Sequence, residues 1–105
     1  MPVITAVIRA KAGGEAALGA ALLDVAAHVA ANEPGTLDFF VGRDPADPAV
    51  FTTYERFVDR AAMDLHNGSD VVARFFAIAK PLLDGPVTLV IGEEISAKGR
   101  PALDA

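Results

Sequence analysis

Thr36–Phe57, TLDFFVGRDPADPAVFTTYERF, is the stretch on which the fold turns. Thr36 to Arg43 and Ala49 to Phe57 are strand-like, rich in β-branched and aromatic residues. Between them Asp44-Pro45-Ala46-Asp47-Pro48 supplies the prolines and aspartates of a tight reversal. The two segments are expected to form an antiparallel hairpin.

Working outward, Val3 to Ala10 reads as a first strand that stops at the turn signal Ala12-Gly13-Gly14. From Glu15 to Asn32, Leu18, Leu22, Val25 and Val29 recur at helical spacing and make one apolar stripe, with Glu15 favourable in the first turn. Glu33-Pro34-Gly35 ends that helix, because proline disfavours helix in the residue before it and glycine accepts the turn. Beyond the hairpin, Asp59 can cap a short helix running through His66, and Asn67-Gly68 interrupts it. Ser69 can cap a second helix carrying Val72, Phe75, Phe76, Ala79 and Leu83, which Pro81 ends or kinks. Asp84-Gly85-Pro86 is a turn, Val87 to Ile95 alternates as a last strand, and Ser96 to Ala105 reads as a loose tail.

The order strand, helix, strand, strand, helix, strand is that of a ferredoxin-like α+β domain, βαββαβ, with helices on one face of a four-stranded antiparallel sheet. The domain is placed at residues 3–95 and the tail at 96–105. The length of 105 residues fits one domain with a single core. Hydrophobic residues make up 52%, much of it the 21 alanines, yet mean hydropathy is still +0.37. Phe40, Val50, Tyr54 and Val90 fall on the face away from the helices, so a homodimer that covers this face is expected.

The net charge of −5 and a scattered set of nine basic residues leave no electrostatic footprint for nucleic acid. No apolar run reaches the length of a membrane span, and Met1 to Ala10 lacks the features of a secretory leader, so a cytoplasmic location is expected. Without cysteine, and with two histidines far apart, neither a thiolate nucleophile nor a metal site is expected.

Alternation sets Phe51, Thr53, Glu55 and Phe57 on one face of their strand, beside Leu37, Phe39, Val41 and Val87, Leu89, Ile91 from its neighbours. Glu55 is the lone acid in that apolar face, where burial disfavours its charge. It is a general base, half of an ion pair with Arg9 or Arg74, or an acid exposed at the strand end. His66 follows Ala62 by four residues and Met63 by three, and shares their small inward face near a helix C-terminus. That terminus favours the imidazolium and burial opposes it. His28 lies off the apolar stripe, four residues after Asp24, with which it can pair on the helix surface. Phe39, Phe40, Phe75 and Phe76 are core residues or the lining of a pocket for a flat ligand. Tyr54, the one phenol, either orients a substrate or belongs to a dimer interface.

Glu33-Pro34-Gly35, Tyr54-Glu55-Arg56-Phe57, Ala61-Ala62 and His66 with Ser69 beyond, in this order and spacing, resemble the antibiotic biosynthesis monooxygenase family. That family belongs to the dimeric α+β barrel superfamily, and the similarity runs from Val3 to about Glu94. The resemblance implies an oxygenase that needs no cofactor and turns a quinol, anthrone or similar small aromatic into a quinone with O2. It implies His66 as the base, Glu55 as the residue that orients it or shares its proton, and Tyr54, Phe39, Phe51, Met63, Phe75 and Phe76 as candidates to hold the substrate. The chain departs from the family where Ser69-Asp70-Val71-Val72 replaces a segment with a second histidine, and where Phe57 replaces a tryptophan. Haem-degrading relatives need an asparagine, a tryptophan and an iron-binding histidine where this chain has Ala6, His66 and Phe76, which disfavours that reaction. An isomerase or lyase with the same proton-abstracting pocket, and a dimeric binding module without turnover, are the other two readings.

Overall fold

The reversal between the hairpin strands is held by its own aspartates. Asp44 Oδ1 accepts from the Ala46 N–H at 2.8 Å and Asp47 Oδ1 from the Ala49 N–H at 3.1 Å. In the computed structural model, which describes residues 1–99, the hairpin is β2 (Thr36–Arg43) and β3 (Val50–Phe57). Before it lie β1 (Pro2–Arg9) and α1 (Glu15–Asn32); after it come α2 (Arg60–Asn67), α3 (Asp70–Ala79), a single 3-10 turn at Lys80–Leu82 and β4 (Thr88–Glu93). All neighbours in the sheet are antiparallel and the order is β2-β3-β1-β4, the ferredoxin-like arrangement. Residues 96–99 carry no regular structure, and the rest of the expected tail lies outside the described residues.

Helix ends follow local chemistry. Asp59 accepts from the Ala62 N–H at the start of α2, and Ser69 accepts from the Val72 N–H at the start of α3. Ser69 also donates its hydroxyl to the His66 carbonyl at 2.7 Å, so one side chain closes the end of α2 and opens α3. α3 stops at Ala79 and the 3-10 turn containing Pro81 follows. No helix among the described residues is long and apolar enough to cross a membrane.

The main core joins Ala6 and Ile8 of β1, Phe51 of β3, the α1 stripe with Ala21 added, and Val71, Phe75 and Ala79 of α3. The buried side of α3 thus follows the spacing 71, 75, 79. Val72 is only half-buried and Phe76 is 44% exposed, so the face inferred from Val72 and Phe76 is rotated by part of a turn. A smaller cluster of Ile4, Phe57 and Met63 sits beneath α2.

Two expectations change. β4 was expected to bury one face, but Leu89 and Ile91 are 48% and 55% exposed, because β4 is an edge strand beyond the helices' cover. Gly35 does not serve the turn through an unusual φ, since positive φ occurs only at Gly13 and Gly85 among the described residues. Its role is close approach: a Cβ at Gly35 would stand 2.7 Å from the Ala62 Cβ, so the missing side chain lets α2 rest on the Glu33-Pro34-Gly35 turn.

Candidate active site

The seating of α2 on that turn brings His66 against two acids from distant parts of the chain. Glu55 projects from β3 toward the helices; its Oε2 accepts from the Thr53 hydroxyl at 2.7 Å and its Oε1 stands 3.3 Å from His66 Nε2. Glu33 follows α1, and its Oε1 lies 2.8 Å from His66 Nδ1. The same oxygen accepts from the Thr36 hydroxyl at 2.8 Å. A register shift between Thr36 and Asp38 sets Thr36 opposite Phe57 on the helix side of the sheet, where its hydroxyl can reach Glu33. The rings of Phe39 and Phe57 flank the imidazole at 5.6 and 5.5 Å between centroids.

His66 and Glu55 are only 4% and 6% exposed. Burial is the largest single influence on His66 and disfavours its cation, but the bonds and charges of Glu55 and Glu33 together outweigh it, so the imidazole is held above its ordinary value of 6.5. The opposition between helix end and burial seen in the sequence is resolved by two carboxylates, of which spacing showed one.

The pair opens on an apolar cavity of about 60 Å³. Its walls include Ile4, Leu22, Val25, Phe39, Val72, Phe75 and Phe76, with Leu89 toward the edge strand. Thr53, Glu55, His66 and Asn67 supply the polar groups. Glu55, His66, Phe39, Phe75 and Phe76 are thus brought together as expected candidates. Three other candidates are not. Phe51 is buried in the main core beneath Arg43 and borders a different groove, beside Gly19. Met63 packs with Ile4 and Phe57 and does not reach the cavity wall. Tyr54 leaves the sheet on the opposite face, beside Phe40 and Arg56, because strand alternation sends neighbours of Glu55 away from it.

The ion-pair reading of Glu55 also changes. Arg9 pairs with Asp47 at 3.4 Å and Arg74 is exposed on α3. His28 turns from Asp24 toward the end of its helix, where Nδ1 lies 3.3 Å from Asn32 Nδ2 and Nε2 lies 3.7 Å from Glu33 Oε2. Glu33 was visible in the sequence only as part of a helix stop. No periodicity links it to His66, 33 residues away.

The antibiotic biosynthesis monooxygenase family model matches residues 1–78. The chain belongs to the antibiotic biosynthesis monooxygenase family. Solved structures carry the same fold over nearly the whole chain. One is a candidate antibiotic biosynthesis monooxygenase from Caulobacter crescentus CB15, at 24% identity and TM-score 0.84, with 90% of each chain covered. Another, from Deinococcus radiodurans, is 22% identical with TM-score 0.84, covering 96% of this chain and 99% of the other. A Nitrosomonas europaea protein of unknown function is 29% identical with TM-score 0.80, covering 95% and 94%. A comparison with curated proteins finds no match. The Glu33-Pro34-Gly35 turn and the Tyr54–Phe57 strand end both lie within the matched residues, and both contribute to the seat of His66.

Proposed function

We propose that the protein is a cofactor-independent monooxygenase that oxidises a small phenolic aromatic with O2, and that it works as a homodimer. The observation that carries the reading is the buried Glu55–His66 pair facing a largely apolar cavity. Such a pair can accept a proton from a bound phenol while dry walls protect the anion and the oxygenated intermediate. The deprotonated ring is electron-rich and gives electrons to O2. A C–O bond forms, the distal oxygen takes up the abstracted proton, and the hydroperoxide carbon loses its own hydrogen as water departs. One oxygen ends in the quinone carbonyl and the other in water, so substrate plus O2 balances quinone plus water.

The cavity size favours one ring over three. An apolar cavity of roughly 150 Å³ accommodates benzene, larger than the 60 Å³ seen here. A single-ring quinol therefore requires Phe76 and Leu89, both exposed at the mouth, to give way, and an anthrone requires far more. The dimer reading rests on the sheet face that no helix among the described residues covers, where Val7, Phe40, Tyr54 and Val90 are exposed together.

Oxygen uptake with a panel of quinols and anthrones tests the activity. Uptake equal to quinone formed, with one atom of labelled O2 in the product, and its loss in both His66→Ala and Glu55→Gln, is the expected result. Solvent proton exchange without uptake would point to an isomerase or lyase, and ring binding without either would point to a binding module. Sedimentation tests the assembly: a monomeric wild-type protein at micromolar concentration overturns the dimer.

A further inference from the structure

Two cavities meet at His66. The inner one is the apolar cavity shared with Glu55. The outer one is a cleft of about 280 Å³ on the other side of the ring, bordered by His28, Asn32, Glu33, Thr36, Leu65 and Ser69. His66 borders both, with Nε2 toward Glu55 and Nδ1 toward Glu33. Glu33 borders only the outer cleft of the two, and so does not meet a ligand held in the inner one.

A neutral imidazole has one N–H and one bare lone pair. With carboxylate oxygens at 2.8 Å from Nδ1 and 3.3 Å from Nε2, a neutral ring would turn its lone pair on one of them. A doubly protonated ring donates to both, in two charge-assisted bonds. The charged groups facing the ring are Glu33 after α1 and Glu55 on β3, with His28 on α1 one step farther out, at 3.7 Å from Glu33 Oε2. On α2 itself, Arg60 and Asp64 are exposed and lie 3.8 Å from each other. Asp70 at the start of α3 is exposed, and Asp38 of β2 is bound to Arg56 on the far face of the sheet.

We infer that Glu33 is a positioning residue of the site. It holds the Nδ1 proton of His66 from the outer cleft, keeps the ring a cation aimed at Glu55, and so leaves the Glu55 carboxylate as the group that takes the substrate's proton. In that step the substrate X–H bond breaks with its electron pair left on the substrate, and the proton passes to a Glu55 oxygen. The cluster of two carboxylates and one imidazolium goes from −1 to neutral as the substrate goes from neutral to −1. The imidazolium, no longer opposed by an ionised Glu55, then has the substrate anion as its counterion inside the cavity. Glu33 Oε2, buried and without a hydrogen-bond partner among the described residues, lies 3.7 Å from Nε2 of His28, which borders the same outer cleft.

The inference rests on the proposed reaction for its substrate, but its first measurement does not. In protein labelled with ¹⁵N at histidine, both ring nitrogens of His66 should be protonated at neutral pH. In Glu33→Gln the ring should lose a proton at lower pH than in the wild type, and Glu33→Asp, which keeps the charge, should restore at least part of the difference. Where Glu33→Gln does not fold, Glu55→Gln answers the same question, because its ring should keep the proton on Nδ1. A His66 titration unchanged by Glu33→Gln, or an Nε2–H tautomer in Glu55→Gln, overturns the inference. Once a turned-over quinol is in hand, kcat/KM of Glu33→Gln should fall about tenfold at the alkaline end of its profile, the worth of one hydrogen bond to a charged group. It should approach wild type at the acid end. A merely structural role would lower it by one factor at every pH. If no quinol is oxidised by the wild type, the proposed function fails while the ring titration still decides the role of Glu33.

Discussion

Glu55 and Arg56 are neighbours in β3, yet they leave the sheet on opposite faces and enter two clusters of one plan, a basic side chain held between two carboxylates. On the helix side His66 lies between Glu33 and Glu55. On the other side Arg56 bonds Asp38 at 2.8 Å and also bonds Glu94, joining β2, β3 and the chain just past β4. The two differ in what the cation can do. A guanidinium is charged at any pH the protein meets, and the bonds from Glu94 and then Asp38 push its proton affinity higher still. An imidazole starts inside the physiological range, so the same bracketing leaves it able to change state. The Arg56 cluster therefore ties chain segments together, whereas the His66 cluster, alone of the two, borders the inner cavity and has a proton to manage.

The sharpest way to separate the clusters is to remove one member of each. Glu55→Gln should lower kcat/KM for a phenolic substrate by about 100-fold or more, the usual worth of a positioned base, and should also lose the stability that its bond lends the His66 cation. Arg56→Met should leave kcat/KM nearly unchanged. It strands two acids and should cost about 2 kcal/mol in denaturant unfolding, below the figure for a fully enclosed pair because this cluster lies beside an open groove. Comparable activity loss from Arg56→Met in folded protein would show that the faces are not independent.

The pH dependence of stability should divide in the same way. His66 is raised on folding, so its contribution is fully present below pH 6.5 and is lost as pH rises through the folded value. Glu94 is lowered, chiefly by its bond to Arg56, so its contribution is present above pH 4.5 and is lost as pH falls through the folded value. Melting curves should flatten on the alkaline side in His66→Gln and on the acid side in Glu94→Gln. A common change on both sides would merge the two clusters into one.

Gly35→Ala tests how the helix-side cluster is built. Its Cβ would meet Ala62 at 2.7 Å and should cost about 1–2 kcal/mol by overpacking. By lifting α2 from the turn, it should also lower the pH at which His66 titrates. Ala62→Gly in the same chain should restore both, seen by thermal melts and by the histidine ring signals. The smallest effect is expected at Tyr54, which faces away from the cavity: Tyr54→Phe should leave kcat/KM within about twofold, since a surface hydroxyl change of this kind is worth a few tenths of a kcal/mol. A larger loss would bring the open face into the reaction.

The parts of the site legible in the sequence were those with local signals. Glu55 was marked by an acid on an apolar strand face, and His66 by its place on a short capped helix, with Asp59 and Ser69 accepting the expected backbone hydrogen bonds. Phe39 followed from alternation along β2. Errors arose where a local rule met a tertiary choice. Phe51 obeys alternation but lies at the wrong end of the sheet for the cavity, and Met63 shares an inward face with His66 but packs into the cluster behind it. β4 alternates properly, yet no helix arrives to bury it.

Turn chemistry, helix stripes and strand alternation determined the order of the elements, the antiparallel sheet and the side on which Glu55 falls, because each depends on residues a few positions apart. Tertiary structure decided which groups meet Glu55. The bare Cα of Gly35 lets α2 descend onto the turn after α1, and that contact, between segments about 30 residues apart, sets Glu33 against His66. A single acid and a histidine could be read from the chain. That the histidine lies between two acids, with a cavity on each side, depends on distances that no local pattern carries.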